Sequence, residues 1–324
     1  MKSPTEDAEH SILFLHPDQP EATPHSAVGG ARARAAHDND NGARIPQAFA
    51  AAGWQVSHAP VASLRLSRDL LCAAGPVRRF HRIWILGFGP ARSFLDRMQM
   101  LSLLPSDRFV TSPEALLLLH GKVRWLEHMP ETHISNDPDF LFACTGRGGD
   151  WILKPVAGSF GRGVRRLQGV PAGVGDQAQR EALASLLKRA TAAGEYWVLQ
   201  RFMPDIATGE TRILCSGGQL LGYYLRQPVL AIDGQGNDRP PLANRSAGAE
   251  ARAVELTQDQ RTLARKIAND LLALGVGFAA IDLVGSTLIE VNVANPGGLA
   301  RIETLNPERQ ATARLVAALE ELWT

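Results

Sequence analysis

Cysteine is scarce in this chain. Only Cys72, Cys144 and Cys215 are present, an odd number with no C-x-x-C pair. They imply neither a disulfide framework nor a zinc knuckle, and they fit a reducing cytoplasm. Charge of one sign is also lacking: 34 basic and 33 acidic residues leave a net charge of +1. No broad field is available to hold nucleic acid or a membrane surface. Long apolar runs are missing too. The leucine run at 116–119 falls far short of a bilayer span, and the run at 12–15 is too brief for the apolar stretch of a signal peptide. The nine histidines show no H-E-x-x-H or other paired ligand spacing. These absences point to a soluble cytoplasmic protein, with neither nucleic acid nor membrane expected as a partner.

What is present is an ordinary globular composition, 45% hydrophobic and 21% charged, long enough for two or three lobes. Residues 12–15, 55–58 and 82–86 read as strands. A Gly-, Pro- and Ala-rich surface loop over 17–42 and a helix over 45–52, stopped by Gly53, separate the first two. A helix over 91–104 and a short strand beginning at 109–110 follow. Thr111-Ser112-Pro113-Glu114 then opens a helix with a hydroxyl cap, an early proline and an acid in the first turn. This alternation predicts a parallel α/β lobe over 1–120. Strands at 151–155, 164–167 and 196–200 with a helix at 179–193 predict a small α+β lobe over 121–200. Strands at 212–215, 219–225, 277–284 and 288–293, with helices at 257–274 and 308–322, predict a third, antiparallel lobe over 201–324.

The most informative segment runs from Gly277 to Asn292, two apolar strands flanking Gly285-Ser286-Thr287. With those three residues as the loop, Val284 pairs with Leu288 and Asp282 falls opposite Glu290. Asn292, two residues on, shares that face. A two-residue loop would put Asp282 and Glu290 on opposite faces. Facing carboxylates repel, and a hard divalent cation, which prefers oxygen ligands, removes the conflict. The plainer alternative is a solvent-facing hairpin whose acids pair with nearby arginines.

Upstream, the strand around Lys154 leads into Gly158-Ser159-Phe160-Gly161-Arg162-Gly163. That spacing lets backbone N–H groups approach a polyphosphate. No Lys-Ser/Thr follows the last glycine, and a strand rather than a helix comes next, so neither a Walker A loop nor a dinucleotide fingerprint is present. A strand–loop–strand cover over phosphates remains.

With these motifs the chain resembles the ATP-grasp superfamily, and within it most closely prokaryotic glutathione synthetase, from about 111 to 305. The resemblance implies a phosphate contact from Lys122, early on a helix, and a second from Lys154. It implies an adenine hinge, mostly backbone, at Gln200-Arg201-Phe202-Met203-Pro204. Glu210 would face the ribose, Arg212 the transferred phosphate and Arg226 the acyl substrate. Asp282, Glu290 and Asn292 match the family's metal ligands with spacing preserved. Three substrate-facing segments depart from the family pattern: 86–93, the 239–245 stretch, and Ala294-Asn295-Pro296-Gly297-Gly298.

The resemblance thus implies an ATP-grasp fold and an ATP-dependent carboxylate–amine ligase acting through an acyl phosphate. Its cofactors would be ATP and Mg²⁺, with Mn²⁺ as the alternative. Its partners would be a small carboxylate and an amine, γ-glutamylcysteine and glycine first, and a homo-oligomer stays open. A ligase for another amino acid or peptide, and a nucleotide-binding module without catalysis, are the competing readings. Cys215, on an apolar strand, reads as core rather than nucleophile.

Overall fold

The computed structural model of the protein describes residues 10–17, 39–119, 123–156, 163–171, 177–228 and 250–324. Strand β1 (Ser11–His16) is followed by helix α1 (Asn41–Ala51) and strand β2 (Gln55–Pro60). A small meander, β3 (Arg65–Leu66), β4 (Leu70–Cys72) and β5 (Gly75–Pro76), precedes β6 (Arg82–Ile85). Strands β2-β1-β6 form a parallel sheet. The meander had no counterpart in the sequence reading, because strands of two or three residues carry no measurable period.

Helices α2 (Phe94–Leu101) and α3 (Pro113–Leu119) follow. The Ser112 hydroxyl accepts from Ala115 N at 3.0 Å and caps α3, with Pro113 as its first residue. Residues 109–110 do not form the expected strand. Instead they stitch two sheets together: Phe109 bridges Ile83, Thr111 bridges Val276, and Gly277 N donates to Val110 O at 2.6 Å. A Cβ at residue 277 would overlap that carbonyl, so the close approach needs glycine there.

The second sheet comprises β7 (Thr132–Ser135), β8 (Asp150–Pro155), β9 (Arg165–Gln168) and β10 (Trp197–Arg201), in the antiparallel order β7-β10-β8-β9. Helices α4 (Pro138–Thr145) and α5 (Gln177–Thr191) belong to this region. Asp137 caps α4, its carboxylate accepting from Asp139 N and Phe140 N. Trp151, Leu153, Leu199, Leu141 and Leu187 make a core of its own for this unit.

The third and largest sheet is antiparallel: β11 (Glu210–Ser216), β12 (Gln219–Gln227), β13 (Glu250–Arg252), β14 (Phe278–Val284) and β15 (Thr287–Asn292), ordered β13-β12-β11-β14-β15. Helix α6 (Gln258–Ala273) precedes β14; α7 (Leu299–Leu305) and α8 (Ala311–Trp323) end the chain. Alternating residues feed two cores. Ile213, Ala279 and Ile281 join Ile267 and Leu271 of α6 with Leu13 and Ile83. Leu214, Phe278 and Ala280 join Leu315 of α8 with Phe14, Phe49 and Trp84. Each core thus draws on both the parallel and the large antiparallel sheet. Among the described residues no helix is long and apolar enough to cross a membrane. All three cysteines are free, and burial pushes the Cys215 thiol up to about 12, which leaves it an inert core group.

Candidate functional site

The acidic hairpin turns on two residues, Gly285 and Ser286, with Val284 opposite Thr287. This corrects the expected three-residue loop. The carboxylates nevertheless face each other. The register slips between Asp282 and Leu283: Leu288 pairs with Leu283, Glu290 with Asp282, and Ile289 is left over. That β-bulge resets the alternation of β15. Leu288 and Val291, three apart, both enter the core beside α6, while Glu290 and Asn292 share the other face.

Across the sheet the same face carries a continuous row. Tyr224 of β12 pairs with Arg212 of β11, Arg212 with Asp282 of β14, and Asp282 with Glu290 of β15. One position along, Arg226 lies opposite Glu210; one position the other way, Asn292 lies opposite Ala280. Arg212 grips Asp282 with two parallel bonds, Nε to Oδ1 at 2.9 Å and Nη2 to Oδ2 at 2.7 Å, and also donates to Gly297 O at 3.3 Å. Arg226 reaches the same Asp282 Oδ2 at 3.0 Å and is ion-paired with Glu210. The Asp282 side chain is only 2% exposed.

Burial alone would raise the Asp282 pKa, but the two guanidiniums prevail and hold it below the ordinary carboxylate value. Burial likewise opposes the charge of Arg212, and Asp282 with Glu290 holds its pKa above the usual one. Burial raises the Tyr224 phenol beside them, so it stays neutral. The plainer alternative of solvent-facing acids is therefore half realised. Asp282 does pair with arginine, but inside the protein.

Arg226 and Arg212 face the carboxylates of Glu210, Asp282 and Glu290 in this row, and the Arg301 guanidinium acts on Tyr224 beside them. Oδ1 of Asp282 accepts from Arg212 Nε and Oδ1 of Asn292 from Ala294 N at 3.0 Å, and a carboxylate or amide oxygen has a second lone pair beyond one such bond. No group of three or more His, Cys, Asp or Glu side chains able to hold a metal occurs among the described residues. A structural zinc-type cage is thereby absent from them. A set of two carboxylates and one amide oxygen is instead what a magnesium-type ion takes when phosphates complete its shell. The donor chemistry fits such an ion.

Lys154 and Gln200 meet on the second sheet, on the face away from its core: Lys154 Nζ donates to Gln200 Oε1 at 3.0 Å, and Gln200 Nε2 to Thr132 Oγ1 at 3.0 Å. Arg201 points the other way. Its guanidinium stacks 3.8 Å over Trp151, donates to Gly148 O and pairs with Glu131 at 2.9 Å, so its side chain holds the small lobe together. Phe202 is covered by the Arg166 guanidinium at 4.1 Å. The backbone N–H groups of Arg201 and Phe202 donate to Glu131 O and Asp150 O, whereas that of Met203 has no acceptor among the described residues. Gly163 has φ 76°, a conformation suited to glycine. Lys122, Gly158, Ser159, Phe160 and Gly161 lie outside the described residues, as does almost all of the 228–248 loop.

Three contributors escaped the sequence reading. Tyr224 could have been found, because it stands two residues before Arg226 and so shares its face. Gly297 O and the Asn41–Asn295 pair could not, since they meet across more than 80 residues of chain. Asn295 takes a left-handed conformation at φ 51° and donates to Leu86 O at 3.0 Å; buried Asn41 donates to Asn295 Oδ1 at 2.7 Å and Pro296 O at 3.1 Å. This ties the segment after Asn292 to the C-terminal end of β6. The carboxyl ends of parallel strands are where such sheets hold ligands, and His16 and His58 contact each other there at 2.6 Å.

Residues 121–307 match the family described as the ATP-grasp domain of prokaryotic glutathione synthetase. Among curated proteins, the glutathione synthetase of Parasynechococcus marenigrum (strain WH8102) is 33% identical over 205 residues, 62% of this chain and 61% of that one. That of Neisseria meningitidis serogroup A / serotype 4A (strain DSM 15465 / Z2491) is 36% identical over 154 residues, 48% of this chain and 44% of that one. The chain thus spans about three fifths or less of the length of these relatives. Solved structures match over nearly the whole chain. D-cycloserine synthetase DcsG superposes with a TM-score of 0.64 at 18% identity, covering 97% of this chain and 100% of that one. The ATP-grasp ligase PsnB gives 0.60 at 13%, covering 97% and 99%. The fold is that of the ATP-grasp ligases, as the sequence motifs implied.

Proposed function

Because the chain belongs to the prokaryotic glutathione synthetase ATP-grasp family, we propose that it is an ATP-dependent ligase joining a carboxylate to an amine through an acyl phosphate. The observation that carries this reading is the buried row of Arg226, Arg212, Asp282 and Glu290 on one sheet face, with Asn292 beside it. In this reading 1–120 hold the acid and amine, 121–200 form a lid, and 201–324 hold ATP and metal. Asp282, Glu290 and Asn292 would hold Mg²⁺, or Mn²⁺ in its place. When bound, the ion would supply charge neutralisation for the transferring phosphoryl group.

Lys122 and Lys154 act as point charges on the phosphates, Lys154 steadied by Gln200. The backbone N–H of Met203 serves the adenine, and Glu210 the ribose. Arg212, oriented by Asp282, stabilises the phosphoryl group as a substrate carboxylate oxygen attacks γ-phosphorus and ADP leaves. Arg226 holds the acyl group. The amine then attacks the acyl carbon, phosphate departs with the C–O electron pair, and the amine gives up its proton. No side chain forms a covalent bond. The acyl phosphate must be kept from water, a task for the small lobe and the 228–248 loop. Three free cysteines support a reducing cytoplasm as its location.

The test is phosphate release from ATP over a panel of acids and amines, starting with γ-glutamylcysteine and glycine, the pair that the family resemblance implies. Release that requires both an acid and an amine, and that Glu290→Ala abolishes, is expected. Release independent of either partner overturns the reading. One observation favours a second reading, a ligase for another amino acid or peptide. The segments 86–93, 239–245 and 294–298, substrate-facing in this reading, depart from the family pattern. A panel member preferred over γ-glutamylcysteine would decide for it.

A further inference from the structure

At the tip of the β11–β12 hairpin, between α6 and the segment leading into α8, lies a cleft of about 480 Å³ lined by Tyr223, Arg261, Arg265, Asn269, Arg309 and Arg314, among others. It is on the sheet face opposite the acidic row. Tyr223 packs into the core beside α6, whereas its neighbour Tyr224 enters the other core beside Arg212.

Arg261, Arg265 and Asn269 recur every four residues and form one stripe of α6. Helix physics disfavours that stripe. Like charges four residues apart repel, and Arg261 sits at the end of the first turn, on the side of the helix dipole that disfavours a cation. Among the described residues neither guanidinium has a hydrogen bond or ion pair; Arg261 only stands 6.0 Å from the Tyr223 ring. Arg309 stacks 4.2 Å over Tyr223 and donates to its hydroxyl at 2.9 Å, while its Nε is shielded from solvent and has no hydrogen-bond partner among the described residues.

Arg314 donates to the carbonyls of Leu221 and Leu220 at 2.8 and 2.9 Å, which blunts the edge of β12 and fixes the guanidinium at the cleft. Among the described residues, the one carboxylate ion-paired with any of the four is Glu255. It stands 3.7 Å from Arg309 and already accepts from the Tyr223 hydroxyl. Four guanidiniums therefore face one cavity with one carboxylate among them.

We propose that this cleft binds a compact, multiply charged phosphate anion. Planar guanidinium forks take phosphate oxygens two at a time, and a cavity of this size falls in the range of small-molecule sites. The site is separate from the proposed ATP site and stands whether or not the ligase reading holds.

Inorganic pyrophosphate is the probe, titrated calorimetrically into the full chain in metal-free, low-salt buffer. Saturable binding is expected, weakened at least tenfold by Arg265→Ser and by Arg261→Ser. Both residues lie on α6 and outside the cores, and unchanged melting temperatures would verify the fold. Lys154→Gln, in the proposed ATP site, should leave the affinity within twofold. A sugar monophosphate run in parallel distinguishes a free diphosphate from an ester as the better ligand. Absence of saturable binding, binding that both arginine variants retain, or binding that Lys154→Gln abolishes would overturn the assignment.

Discussion

Asp282 does two things at once. It is a member of the proposed metal set, and it neutralises Arg212 and Arg226, both nearly buried. Removing one partner of a buried ion pair strands the others, at a cost of roughly 3–5 kcal/mol. Asp282→Ala is therefore expected to lower the urea midpoint strongly as well as to abolish turnover. Glu290, at the half-buried end of the row, should separate the two effects. Glu290→Ala should lower the melting temperature less than Asp282→Ala does while reducing turnover by about 100-fold or more, since metal stabilisation of the transferring phosphoryl is worth several kcal/mol. His16 gives a pH signature. Burial, with His58 beside it, depresses its pKa below the ordinary histidine value. The unfolded chain then binds the proton more readily. Stability from this group is complete above about pH 6.5 and is lost as pH falls through the folded pKa. His16→Gln should flatten the urea-midpoint profile between pH 8 and pH 5.

The hairpin shows what a pattern of residues can and cannot reveal about an element. Spacing brought Asp282, Glu290 and Asn292 onto one face, but through a three-residue turn that the protein does not use. The true device, a two-residue turn plus a bulge at Ile289, was written in the sequence as two core positions, Leu288 and Val291, spaced by three instead of two. A strict period of two is blind to that. Deleting Ile289 should leave Asp282 opposite Glu290 and preserve metal-dependent nucleotide binding, measured by fluorescence titration; loss of binding in a folded variant would show that the bulge's extra twist aims Glu290. The turn is also held from outside. Gln260 completes the Thr257 capping box of α6, bonding Thr257 N at 3.0 Å, and its Nε2 donates to Gly285 O at 2.8 Å. Gln260→Ala should cost about 1–2 kcal/mol in a denaturant melt, the loss of one cap and one turn bond.

At the scale of the molecule, long alternating segments were legible and contacts made by folding were not. The parallel lobe, the small lobe and the large sheet all follow from strand and helix periods. The elements missed, β3 to β5, β7, β13, α4 and α7, have eight residues or fewer. The Asn41–Asn295 tie joins residues 254 apart and has no local signal at all. Two cores are common to the parallel and large sheets, and the small lobe has a separate core of its own. That division suits a reaction whose intermediate must be closed off from water. The most direct test of that chemistry is oxygen transfer. With an acid substrate labelled with ¹⁸O in its carboxylate, an acyl phosphate requires one labelled oxygen to leave with inorganic phosphate for each amide formed, beside unlabelled ADP. Label found in AMP, or phosphate released without label while amide accumulates, would contradict the account.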